Sequence, residues 1–230
     1  MTWIRRTAYL ALGICLTVVV WITALQWVTF DVNHYMTQFE KQDWVPAAGM
    51  DRENLEHTAS EIIRYLKGEK DDFQTYAVKD GEYQALYDQR ERVHMEDVLF
   101  LYQRAGLIRN IGLAGLLILL GLLRWFDPKW KRRTLRAFFY TGLANVDLLI
   151  LLALLIWIDF TKYFTYFHLI LFDNDLWILD PNRHVLIQLL PEQFFVNTAL
   201  QIGGYAMGTL LLLGMISWMI ERQLREGEIS

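Results

Sequence analysis

Four long apolar stretches divide the chain: Thr7–Phe30, Leu107–Phe126, Ala137–Ile158 and Thr198–Ile220. At 1.5 Å rise per residue, each is long enough to cross the ~30 Å hydrocarbon core of a bilayer. No water is available there to satisfy backbone N–H and C=O groups, so each is expected to be a helix. The polar remainder falls between them. The pattern predicts spans at 7–30, 107–126, 137–158 and 198–220, long connections at 31–106 and 159–197, a short turn at 127–136 and a tail at 221–230. The fold class expected is an all-α membrane protein, four transmembrane helices under a mostly helical extracellular cap.

Within the first connection, Leu55, Ala59, Ile62, Ile63 and Leu66 share one face of a predicted helix over Arg52–Lys67, and Gly68 stops it. Asp31–Asp51 reads as irregular, with aromatic anchors at Tyr35, Phe39 and Trp44 and a break at Pro46. A short strand is expected near Thr75–Val78. A second helix is expected from about Glu82 through His94 towards span two, with His94, Asp97 and Leu101 on one face. Further on, Asp180–Pro181 has the pattern of a cap and first helical position, opening a short helix that Pro191 ends. Gly203, Gly204 and Gly208 in span four predict close helix contact.

Composition agrees with the pattern. The chain is 54% hydrophobic and 14% aromatic, too apolar for an ordinary soluble domain. Span one exceeds the apolar core of a signal peptide and lacks a small-x-small cleavage site, which predicts an uncleaved anchor. Arg5 and Arg6, the basic residues Arg124–Arg136 and the pair Arg222 and Arg225 all flank the same ends of the spans. The positive-inside tendency places those ends in the cytoplasm and the two long connections outside. Residues 31–106 carry 16 acidic and 9 basic side chains, a balance of −7 that offers nucleic acid little. The one cysteine, Cys15, lies within span one, so neither an internal disulfide nor a Cys–Cys metal cage can form.

No HExxH, GxSxG or phosphate-binding loop is present. The candidate chemistry is histidine. His94 precedes span two in VHMEDV. His168 lies in DFTKYFTYFHLILFDNDLWILDP among Phe160, Tyr163, Phe164, Tyr166, Phe167, Phe172 and Trp177. Rings with an apolar body and a polar tip suit the membrane–water boundary. An imidazole at that depth, titrating near pH ~6.5, can take and return a proton or can merely bond a neighbour. His34, His57 and His184 are read as structural. Asp97, one turn from His94, can orient an imidazole or stay solvated. Asp147 sits in span three, where a carboxylate disfavours insertion by ~2.5–3.5 kcal/mol; it is expected to face the bundle or to be protonated. Arg109 can neutralise a carboxylate, bind an anionic headgroup or snorkel. His94 and His168 with Asp97 or Asp173 have no diagnostic metal-ligand spacing.

The four spans, the HMEDV segment before the second, and FHLILFDNDLWILDP followed by a Pro-x-x-Phe-Phe segment before the fourth resemble the lipoprotein intramolecular transacylases of bacteria. The resemblance implies a multi-pass protein of the bacterial cytoplasmic membrane, with its site where an extracellular cap meets the membrane core. His94 and His168 occupy the positions of the family's two catalytic histidines. Asp97, Arg109, Asp147, Tyr163, Tyr166, Phe167, Asp173, Asn174 and Trp177 are the expected supporting residues. The implied reaction moves the sn-2 acyl chain of a diacylglyceryl lipoprotein to the α-amine of its N-terminal cysteine and leaves a lyso-form lipoprotein. No cofactor or metal is implied; the partners are a lipid-modified lipoprotein N-terminus and membrane lipids. Two other classes remain open from the residues alone. One is a histidine-ligated redox or quinone-binding bundle, which the lack of a mid-span histidine disfavours. The other is a non-catalytic membrane scaffold.

Overall fold

The computed structural model describes residues 3–41 and 49–226. Four helices are long and apolar enough to cross a membrane: α1 (Trp3–Thr29), α4 (Gln89–Phe126), α5 (Trp130–Leu171) and α7 (Glu192–Glu226). They correspond to the four expected spans. Three shorter helices, α2 (Val32–Lys41), α3 (Arg52–Leu66) and α6 (Val185–Leu189), and a hairpin of β1 (Tyr76–Lys79) and β2 (Glu82–Ala85) complete the described residues. Trp44 and Pro46, expected as an anchor and a break, lie outside them.

The chain packs as two units. One comprises the described residues of Met1–Leu25, Ala105–Leu154 and Leu200–Ser230; the other comprises those of Gln26–Arg104 and Leu155–Ala199. In the first unit, Tyr9, Leu12 and Leu123 form a small buried cluster. Asn145 is a buried polar group between helices: Trp21 donates to it at 2.8 Å, and it donates to Thr17 and to the Thr141 carbonyl, each at 2.9 Å. Asp127 accepts from Tyr9 and Arg133, and Glu221 from Arg132, Arg136 and Arg225. Close approach falls largely on other glycines than those expected. A Cβ on Gly142 would meet the Leu210 carbonyl oxygen at 2.9 Å, and one on Gly203 would meet Leu149 at 2.8 Å, whereas Gly204 and Gly208 face open space.

The second unit has the larger core, with Tyr35, Phe39, Leu55, Ile62, Tyr65, Phe73, Tyr87, Leu189 and Phe194 among its members. Helix α3 begins where Asp51 accepts the Asn54 N–H at 2.8 Å and ends before Gly68, whose φ of +74° allows the chain to turn away. All five apolar residues expected on one face are buried.

Three sequence expectations are corrected. The second helix begins at Gln89, because Glu82–Ala85 pairs as a strand. Asp80 and Gly81, at φ 54° and 84°, form the two-residue hairpin turn that the Asp-Gly pair favours. The Asp31–Asp51 stretch contains α2, whose buried face mixes His34 and Gln38 with Tyr35, Met36 and Phe39 and so carries no clean apolar stripe. Asp180 does not open a helix. Its carboxylate accepts the Asn182 N–H at 2.9 Å, and its own N–H donates to His184 Nδ1 at 2.6 Å, which sets a turn; α6 starts after His184.

Candidate active site

Helix α4 fixes the first candidate histidine. Asp88 and Glu91 cap one another: the Glu91 N–H donates to Asp88 Oδ1 at 3.1 Å, and the Asp88 N–H donates to Glu91 Oε2 at 2.8 Å. The second Glu91 oxygen accepts the Leu186 N–H at 2.7 Å. That carboxylate is almost fully buried, and burial raises its pKa. The helix start is thereby anchored one turn before His94. His94 is 7% exposed, and its Nδ1 has no hydrogen-bond partner among the described residues.

Helix α5 fixes the second. Its geometry breaks at Asp159, where φ is −167° and ψ is 87°. The Asp159 side chain then accepts the Lys162 N–H at 3.0 Å and caps a fresh helical segment through Leu171. His168 lies in that new segment, 7% exposed. Its Nδ1 is 2.7 Å from the Phe164 carbonyl, which can only accept, so Nδ1 carries the proton and Nε2 keeps its lone pair.

The two imidazole centroids are 6.3 Å apart. Phe172 stands beside both, 5.3 Å from His94 and 5.5 Å from His168. Phe164 meets His168 edge-on at 4.3 Å, and Trp177 stacks on it at 4.7 Å and 27°. Burial, chiefly, lowers the pKa of both imidazoles; His94, which also feels His168, falls to about 4 while Asp97 pulls it upward. Both are outside the predicted spans and neutral at pH 7. A neutral pair in an aromatic enclosure can accept one proton and donate one hydrogen bond at neighbouring points.

Of the expected supporting residues, Asp97, Asn174 and Trp177 join this pair. Asn174 donates to Asp97 at 2.9 Å, and the Trp177 indole donates to the Asn174 carbonyl at 3.0 Å. Phe167 neighbours His168 at 5.4 Å. Tyr163 and Tyr166 contact each other at 6.2 Å, with the Lys162 ammonium over Tyr166. Asp173 is exposed. Arg109 and Asp147 belong to the other unit. Arg109 bonds Asn110, and Asp147 lies on the exposed side of its helix, so the expected bundle-facing position goes to Asn145. His34 meets Thr198 Oγ1 at 2.8 Å, His184 accepts from Asp180, and His57 is exposed.

Sequence reasoning missed Arg90 and Glu91. Arg90 donates to the carbonyls of Asp175 and Ile178, the latter at 3.2 Å, and holds the Asp173–Asp180 loop against α4. The Asp88-x-x-Glu91 spacing was the available signal for the helix start, one turn before the histidine.

The chain is similar in fold to solved structures of the membrane-integral lipoprotein intramolecular transacylase Lit from Bacillus cereus. One is 21% identical, covers 98% of both chains and gives a TM-score of 0.73. Two variants of that protein, with one histidine replaced by alanine or by arginine, give TM-scores of 0.72 and 0.70 at the same identity. The alanine variant covers 98% of this chain and 96% of that one; the arginine variant covers 97% and 92%. No curated protein matches the chain. The sequence model of the lipoprotein intramolecular transacylase Lit matches residues 10–195, more than three-quarters of the length, and the chain therefore belongs to that family of membrane-integral acyltransferases.

Proposed function

We propose that the enzyme transfers the sn-2 acyl chain of a diacylglyceryl lipoprotein to the α-amine of the same molecule's N-terminal cysteine. The observation that carries this reading is the enclosed histidine pair at 6.3 Å. Nucleophile and acyl donor both belong to the substrate, so the protein needs only to bring them together and move protons.

His168 is the general base. Its free Nε2 takes a proton from the cysteine amine as the nitrogen attacks the ester carbonyl. A tetrahedral intermediate forms, and the bond from the acyl carbon to the sn-2 oxygen breaks. That oxygen leaves with one proton, an amide remains, and the proton count is unchanged. His94, neutral because it is buried, donates a hydrogen bond to the oxyanion. Trp177, Phe164 and Phe172 exclude water, which would otherwise hydrolyse the ester. Asp97 and Asn174 support the Trp177 loop. In this reading 31–106 and 159–197 face outward and both termini face the cytoplasm.

The test is mass spectrometry of lipoprotein N-termini from cells making His94→Ala or His168→Ala. Both variants insert, and both lose conversion of diacyl to lyso-form lipoprotein. Normal product from either one ends the proposal.

A further inference from the structure

We infer that the pocket lined by Asp88, Arg90, Ile178, Asp180, Arg183 and His184 is the subsite that receives the polypeptide following the acylated cysteine. This rests on the transacylation reading and adds to it where the protein part of the substrate goes. The pocket has a volume of about 480 Å³, within the range of ligand sites.

Its position follows from shared walls. Arg90 lies one turn before His94 on α4, about 6 Å along the axis. Ile178 follows Trp177, whose indole covers His168. Pocket and histidine pair are thus neighbouring compartments of one helix–loop junction. An extended chain advances ~3.3–3.6 Å per residue, so the second or third residue after a cysteine held at the histidines reaches the pocket.

The walls are set before anything binds. Arg90 holds the carbonyls of Asp175 and Ile178. His184 Nδ1 accepts the Asp180 N–H at 2.6 Å, and its Nε2 lies 3.5 Å from Asp88. Arg183 pairs with Asp88 at 3.4 Å. Two carboxylates offset two guanidiniums, which gives no preference for an ion of either sign. Mixed donors and acceptors beside the exposed Ile178 suit the amide groups and small side chains of an uncharged main chain.

The experiment compares two synthetic diacylglyceryl-cysteine peptides in mixed micelles, one with a single residue after the cysteine and one with about six, a length that overruns the pocket. Wild-type enzyme converts the longer with the higher kcat/KM. Arg183→Glu and Ile178→Ser, both at exposed side chains, reduce that long-to-short ratio about tenfold, equivalent to about 1.4 kcal/mol. A ratio of one for wild-type enzyme, or a ratio the variants leave unchanged, overturns the subsite while transacylation stands. Absence of lyso-product from both peptides with wild-type enzyme overturns the transacylation reading and this inference with it.

Discussion

The Asn174 side-chain amide donates to the Asp97 carboxylate at 2.9 Å, joining the loop after His168 to the helix that carries His94. The bond crosses 77 positions in sequence, and its effect passes through Trp177, whose indole donates to the Asn174 carbonyl and stacks on His168. Asn174 is exposed, so the bond contributes about 0.5–1.5 kcal/mol. Asn174→Ala and Asp97→Leu are each expected to reduce kcat about 3–10-fold with the fold intact. The double variant should match the single ones, because both remove the same tie. Additive losses in single-turnover kinetics would show that the two residues act separately.

Trp177 does more than fill space. Its ring face lies 4.7 Å from the His168 centroid, and the proposed mechanism gives that imidazole a positive charge during attack. An indole face stabilises a cation by about 1 kcal/mol at such contacts. Trp177→Leu should lower kcat about 5–10-fold and shift the acid limb of the pH–rate profile to lower pH, since it removes a group that favours the imidazolium. Trp177→Phe keeps an aromatic face and should leave the limb in place while losing the bond to Asn174. A limb that does not move in the leucine variant assigns Trp177 to packing alone.

Long periodic or apolar segments were the readable part of this chain. The spans and the Leu55–Leu66 face are set by solvent preference repeated over many residues, which no single contact can override. Both candidate histidines stood out because each lies beside a span among polar or aromatic residues. Elements decided by a few side-chain bonds were not readable. The Asp80–Gly81 turn makes a strand of Glu82–Ala85, which otherwise reads as the start of a helix. Arg90 owes its place to carbonyls of Asp175 and Ile178, more than 80 residues away, and a carbonyl acceptor leaves no trace in side-chain pattern.

Among the glycines, Gly142 sets a helix approach in the first unit. An added Cβ would come within 2.9 Å of the Leu210 carbonyl oxygen, and a backbone oxygen can move only with its helix. Gly142→Ala should destabilise by about 1–3 kcal/mol. Gly208→Ala meets nothing within 4 Å and should be neutral, which makes it the control. Thermal unfolding in detergent distinguishes the two. Equal melting temperatures would place the close approach elsewhere.

Burial of His94 makes folding depend on pH with a definite sign. Its pKa falls from 6.5 to about 4 on folding, so the unfolded chain binds a proton over a range where the folded chain does not. Stability from this group is therefore complete above pH 6.5 and is lost as pH falls towards 4. His168 is lowered too and acts in the same direction. For His94 alone the loss is on the order of 3 kcal/mol between pH 7 and pH 4. His94→Leu should lose that much less stability in acid, measured as the difference in denaturant unfolding free energy between pH 7 and pH 4 for variant and wild type. The same shift bears on catalysis. In kcat/KM, the limb belonging to the enzyme should lie below pH 6.5, apart from the ionisation of the substrate's α-amine near pH ~8. An enzyme limb at or above pH 6.5, present with wild type and absent with His94→Gln, would mean that this imidazole is solvated during turnover and charged at rest.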